Sequence, residues 1–262
     1  MNQRRRVTIF AAAGAAVAVT AGAVVAVSAN GATDQFDASG TSAQADAPAP
    51  FGESNLPTGE PNSGAATSDS TTPDERAIPT SKKRKLARTF AVKTKDPVFF
   101  ITVDDGNTKN AAALKYVTTN KIPATVFLTN AAVAGQWDYF RKFAAAGGTV
   151  ENHTMTHRSL TSGGTPLSYE ICRPQAIYGA KFGRIPTLLR PPYGNGGYVT
   201  TAKKTRKAID ATASACGIQH VVMWNAVAEN GSFKFIRGSL KRGDIVLFHI
   251  TPNLAGELKT VM

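Results

Sequence analysis

Pro97-Val98-Phe99-Phe100-Ile101-Thr102-Val103-Asp104-Asp105-Gly106 is an apolar, β-branched run closed by two carboxylates and a glycine. Its first part, Pro97 to Val103, reads as a strand, and a helical pattern follows over Lys109 to Thr119. A second strand at Ala124 to Thr129 and a helix near Trp137 to Ala146 repeat the order. Further strands are expected at Gly148 to Glu151, Thr187 to Leu189, His220 to Trp224 and Asp244 to Phe248. Helices are expected over Ser168 to Phe182, interrupted or kinked at Pro174, and over Tyr198 to Ala215. Apolar strands separated by helices predict a parallel sheet covered by helices, either doubly wound or closed as a barrel. Periodicity alone does not choose between these.

Outside this α/β region the 262-residue chain changes character. Arg4, Arg5 and Arg6 precede an almost wholly apolar run from Val7 to Val27, and Val27-Ser28-Ala29 offers small residues suited to cleavage, so residues 1–29 read as an export signal or a membrane anchor. Either places the remainder outside the cytoplasm. From Asn30 the sequence is dominated by Ala, Ser, Thr, Pro, Gly and Asp. Ordering such a chain costs about 1–2 kcal/mol per residue with little burial in return, so residues 30–89 are expected to be a disordered linker ending in a basic run. Residues 90–262 are then the folded domain.

Charge is divided in the same way. The stretch Asn30–Ser81 carries eight acids and one Arg, whereas Lys82 onward carries 26 Lys and Arg against ten Asp and Glu. So basic a domain, outside the cytoplasm, would attract anionic wall polymers or a phospholipid surface. Nucleic acid is not expected as a partner, because export and the lack of aromatic residues interleaved on a basic strand platform oppose it. Cys172 and Cys216 fall in predicted helices, and an oxidising compartment favours a disulfide between them.

Four segments at predicted strand ends carry the chemistry. Asp104 and Asp105 would repel one another unless a cation or proton separates their roles, although Asp-Asp-Gly is also a common turn. His153-Thr154-Met155-Thr156-His157 spaces two imidazoles so that one helical turn would bring them to a common cation. With Asp105 they make a two-histidine, one-carboxylate set that leaves positions open, as a catalytic site requires. Arg190-Pro191-Pro192-Tyr193-Gly194 is a rigid turn able to fix Arg190 and the Tyr193 amide, or only a turn. Leu247-Phe248-His249 ends the last strand, where a lone histidine more commonly serves structure.

In this order the four segments resemble the NodB-homology polysaccharide deacetylases, carbohydrate esterase family four, over Phe90 to the C-terminus. The resemblance implies a distorted (β/α) barrel with its site at the strand C-termini. It implies metal ligation by Asp105, His153 and His157, with zinc the expected divalent ion. It makes Asp104 the general base, Arg190 its orienting partner, the Tyr193 amide an oxyanion donor and His249 the general acid. Leu247 and Trp224 would line the substrate pocket. The implied reaction is hydrolysis of N-acetyl groups on peptidoglycan or a chitin-like glycan.

Two departures bear on this. Where the family has acids after its tryptophan, Trp224-Asn225-Ala226-Val227-Ala228-Glu229-Asn230 offers Val227 and Asn230, which predicts a weakened acid step or a glycan-binding protein without turnover. The chain ends soon after His249, so either a closing segment is missing here or the barrel is left open along that edge.

Overall fold

The computed structural model describes residues 85–262 apart from 134, 230 and 237, together with a short antiparallel pairing of Ile9–Phe10 with Val24–Val25. The expected signal or anchor and nearly all of the expected linker otherwise lie outside the described residues. No helix among the described residues is long and apolar enough to cross a membrane.

The chain alternates as anticipated. Strand β1 (Ala87–Thr89) leads to β2 (Phe100–Asp105), α1 (Ala111–Asn120), β3 (Thr125–Leu128), α2 (Asn130–Val133), α3 (Trp137–Ala144) and β4 (Val150–Asn152). Helix α4 (Leu167–Phe182), β5 (Leu188–Leu189), α5 (Lys203–Ala215) and β6 (His220–Val222) follow. A hairpin of β7 (Ala226–Glu229) and β8 (Ser232–Phe235) precedes β9 (Ile245–His249) and α6 (Leu254–Val261). These strands form one nine-stranded sheet in the order β8-β7-β9-β2-β3-β4-β5-β6-β1, parallel except for the hairpin. It is a curled, open half-barrel around a cavity of about 40 Å³ lined by Phe100, Phe127, Val222 and Ile245 among others. A separate apolar layer, including Val103, Val126, Phe140, Tyr178 and Phe248, packs sheet against helices.

Strand alternation explains the two layers. In β9, Ile245 and Leu247 join the inner cluster, whereas Val246 and Phe248 join the helix-side cluster. Both sets are apolar, which is why this strand lacks the polar alternation of a sheet with one wet face.

The structure refines several expectations. The sheet begins at Ala87, with Leu86 buried, three residues before the expected boundary at Phe90. The barrel is left open, though not directly beside His249: β9 lies between β2 and the β7–β8 hairpin, and among the described residues the sheet ends at β8 and β1. Helix α5 starts at Lys203 rather than Tyr198. Tyr198 instead packs its ring against Phe90 and Trp224, after a Gly196–Gly197 turn that approaches Ile209 and Met223. Helix α4 runs unbroken through Pro174. A proline there cannot donate to the carbonyl of Glu170 four residues earlier, and that carbonyl accepts the Met155 amide instead, at 2.9 Å. Cys172 of α4 and Cys216 at the end of α5 form the expected disulfide, with Cα atoms 5.2 Å apart.

Candidate active site

Successive side chains of a strand point to opposite faces, so Asp104 and Asp105 should diverge at the end of β2. They do not, because Asp105 takes a left-handed backbone, φ 80°, as β2 ends. His153 Nε2 consequently lies 3.6 Å from Asp104 Oδ2 and 3.5 Å from Asp105 Oδ1. Gly106 follows at φ 111°, and a Cβ there would come within 2.7 Å of Val133, so the turn after the carboxylates requires glycine.

The two histidines are brought together by a loop, not by the helical turn their spacing suggested. Residues after β4 leave regular structure, and Thr154 and His157 adopt φ 75° and 62°. Among the described non-glycine residues, four of the five with positive φ are Asp105, Thr154, His157 and Tyr193, all at this site. Such conformations cost on the order of 1–3 kcal/mol each and persist only where the surroundings impose them. Here Asn152 and buried Glu170 do so. Asn152 Oδ1 accepts the Thr154 amide at 2.8 Å, and the Glu170 carboxylate accepts the Thr156 amide at 2.9 Å and the Thr156 hydroxyl at 2.5 Å.

Arg190, at the end of β5, has no solvent exposure. Its Nη1 donates to Asp104 Oδ1 at 2.7 Å and to Thr102 Oγ1 at 2.8 Å, and its guanidinium stacks 4.3 Å from the Phe127 ring centre. Trp224 lies 5.5 Å away on another side and is almost fully buried, so it walls the guanidinium. Burial pushes the Arg190 pKa down, and the Asp104 charge opposes that shift. One carboxylate of the pair is thereby neutralised and fixed.

The other is not. Asp105 Oδ1 is buried without a hydrogen-bond partner, facing His157 Nε2 at 3.2 Å and His153 Nε2 at 3.5 Å, while the two ring nitrogens are 3.2 Å apart. The His153 Nδ1 contacts the Arg190 carbonyl at 2.7 Å, which requires Nδ1–H and leaves a lone pair on Nε2. His157 Nδ1 similarly meets the Tyr193 hydroxyl at 3.2 Å. Tetrahedral ligands at about 2.0–2.1 Å from a zinc-like ion are separated by about 3.3 Å, so the residues fit a divalent cation. Among the described residues, these three form the group able to hold a metal. In its absence, burial raises the Asp105 pKa but the neighbouring imidazoles outweigh it and hold the carboxyl well below the usual range. Burial lowers that of His153, and the charges of Asp104 and Asp105 reverse this to a net rise.

His249 ends β9 opposite Asp104 in register. Leu247, two residues earlier and buried, pairs with Thr102 and with Val227 of the hairpin. Continuing that alternation places Glu229 on the face shared by Val227 and His249. Glu229 is exposed and paired with Lys234 Nζ at 2.5 Å; that pairing, more than the charge of His249, holds its pKa below the ordinary value. Among the described residues no hydrogen bond or ion pair fixes the His249 ring.

The carboxylate pair, the paired imidazoles and the buried arginine now stand together at the strand ends. The polysaccharide deacetylase family model matches residues 91–214. The matched span holds every candidate ligand, and it stops before Trp224 and His249. An uncharacterised protein of Streptomyces coelicolor is 34% identical over 161 residues, covering 59% of this chain and 60% of that protein. A chitooligosaccharide deacetylase of Bradyrhizobium is 32% identical over 99 residues, covering 36% of this chain and 45% of that protein. The chain thus spans at most about three-fifths of either relative. The fold likeness extends to a mutant of a carbohydrate esterase family-four pseudoenzyme with restored activity, at TM-score 0.54 and 19% identity over 67% of this chain and 64% of that one.

The sequence motifs name the candidate groups and miss what holds them. Thr102, Asn152 and Glu170 were not anticipated. Asn152 adjoins His153, so adjacency was a usable signal; Glu170 lies on the next helix and no spacing points to it. The β7–β8 hairpin was also missed, although Asn230-Gly231 is a hairpin turn signal.

Proposed function

We propose that this protein is an exported, metal-dependent polysaccharide deacetylase that hydrolyses N-acetyl groups of a surface glycan, with peptidoglycan as substrate and zinc as the metal. One observation carries the reading. Of two adjacent carboxylates, Asp104 is tied to a buried arginine and Asp105 is left with an orphaned oxygen facing two imidazoles. That asymmetry suits one proton-handling acid and one ligand.

In this reading Asp105, His153 and His157 hold the ion, which when bound supplies Lewis acidity towards the amide carbonyl and lowers the pKa of water. Asp104 takes the proton of the attacking water, with Arg190, itself anchored on Thr102, keeping its carboxylate aimed. The Tyr193 amide, set by the left-handed backbone of that residue, donates to the developing oxyanion. Leu247 packs against the acetyl methyl, and His249 protonates the departing sugar amine. The arginines and apolar run of residues 1–29 support export, with a linker from Asn30 that gives way to the domain at Leu86, where burial and the sheet begin.

Acetate release from a panel of N-acetylated glycans, with and without chelator, tests this. Chelator-sensitive release from peptidoglycan fragments is the expected result. Val227 and Asn230 at the positions of expected acids favour a second reading, a metal-containing glycan-binding protein without turnover. No release from any glycan at full metal occupancy, with glycan binding retained, selects that reading.

A further inference from the structure

A second cleft lies beside α5, apart from the carboxylates and imidazoles. It has a volume of about 640 Å³ and is lined by six cations, Lys85, Arg88, Lys203, Lys204, Arg206 and Lys207. Among the described residues the single lining acid is Asp210, which is already neutralised by Arg88 at 2.6 and 2.8 Å. Five positive charges therefore face the cleft without a partner acid among its lining. Two buried donors, Arg88 Nε and Arg206 Nε, have no hydrogen-bond partner among the described residues. Lys203 and Lys204 stand in the first turn of α5, which has no acid, so the helix dipole adds to the positive field instead of offsetting it. Folding alone gives no return for such an arrangement, since like charges repel and unpaired guanidinium nitrogens lose hydration.

We infer that this cleft is a docking groove for a phosphodiester polymer, separate from the acetyl-transferring chemistry and independent of it. A chain of phosphate monoanions supplies acceptors for the unpaired guanidinium nitrogens and one charge per repeat for the lysines. Among the described residues no aromatic side chain lines the groove, which removes the stacking platform on which single-stranded nucleic acid depends. None of the exposed large apolar residues lines it, so it lacks the insertion needed to prefer a membrane surface. Arg88 Nη2 also donates to the Gly196 carbonyl at 3.1 Å, which ties one wall of the groove to the loop that carries Tyr193. An anionic polymer seated there would hold the protein beside the surface on which its glycan lies.

The test uses the full chain and measures binding of poly(glycerol phosphate), anionic phosphatidylglycerol vesicles and single-stranded DNA at matched ionic strength. Reversal of three groove charges, Lys203→Glu with Lys204→Glu and Lys207→Glu, is expected to weaken polymer binding at least about tenfold. A charge-matched control at exposed lysines elsewhere, Lys115→Glu with Lys121→Glu and Lys142→Glu, is expected to change it less than about threefold. Should reversal disturb folding, read as a shifted near-ultraviolet spectrum, the milder pair Lys204→Gln with Lys207→Gln carries the same comparison against Lys115→Gln with Lys142→Gln. Equal losses in groove and control variants would show attraction by net charge alone and overturn the inference. So would binding of vesicles or DNA by the unaltered protein as tight as binding of the polymer.

Discussion

The two sides of the candidate site are built differently. On the β2–β4–β5 side the candidate groups around the orphaned Asp105 oxygen are held by other buried groups: Asp104 by Arg190, His153 by the Arg190 carbonyl, and the His157 loop by Glu170 and Asn152. That side holds all four strained residues of the site. On the β7–β9 side His249 ends its strand with no such support among the described residues, beside a hairpin whose Glu229 is exposed and engaged by Lys234. A preorganised metal side and a lightly held acid side imply that substitutions on the first act on metal and turnover steeply, and on the second mainly on pH dependence.

The largest effect is expected at the base. Asp104→Asn should retain one bound metal per chain and lose about a hundred- to ten-thousand-fold in acetate release. Asp105→Asn should lose the metal first. Equal metal loss in both variants, measured by elemental analysis after gel filtration, would break the division of roles between the carboxylates.

Glu170 sharpens the same side at one remove. Glu170→Gln keeps shape while weakening its hold on Thr156, so metal affinity should fall by about ten- to a hundredfold, as for other groups that orient a ligand. Competition with a fluorescent chelator would measure this. Unchanged affinity would mean that the strained loop holds His157 without its latch.

What the sequence made legible follows this division. The central strand ends and the candidate site residues could be read because each motif is local and strands such as β3 and β9 are apolar on both faces. The loop geometry of His153 to His157 could not, since a four-residue spacing fits a helical turn and only Thr154 and His157 backbone angles reveal otherwise. Pro174 was legible as a disturbance, but its consequence, a carbonyl freed for Met155, depends on which loop packs against α4. The hairpin is signalled by the Asn230-Gly231 turn alone, because Ala226 to Ala228 shows no polar alternation to mark its first strand.

A moderate effect is expected from pH. In the metal-free protein the charges of Asp104 and Asp105 raise His153 above its ordinary 6.5, despite burial. Its stabilising charge is then fully present below that ordinary value and lost as pH rises through the raised one. Metal requires the neutral ring, so the gain in thermal midpoint on adding metal should grow as pH increases from about 6 to 8. A gain that stays constant over that range would remove His153 from the ligand set.

The smallest and most discriminating effect belongs to the acid side. Val227 is half-buried, pairs with Leu247 and lies on the face that leads to His249, so Val227→Asp would place a carboxylate where it favours imidazolium. The alkaline limb of the pH–rate profile should move upward by up to about one pH unit, with the plateau rate changing less than about tenfold. Val227→Asn separates charge from polarity, and the thermal midpoint of each variant shows whether an unpaired charge has been buried at a cost to folding. Glu229→Gln provides the counterpart. If Glu229 already supports His249 across the hairpin, its loss should lower the alkaline limb, and Val227→Asp should then add little. Movement with Val227→Asp alone would mean that the Lys234 pair keeps Glu229 out of the chemistry. If neither variant shifts the limb, the contrast between the sides is structural only, and the departing amine must take its proton from a group other than His249.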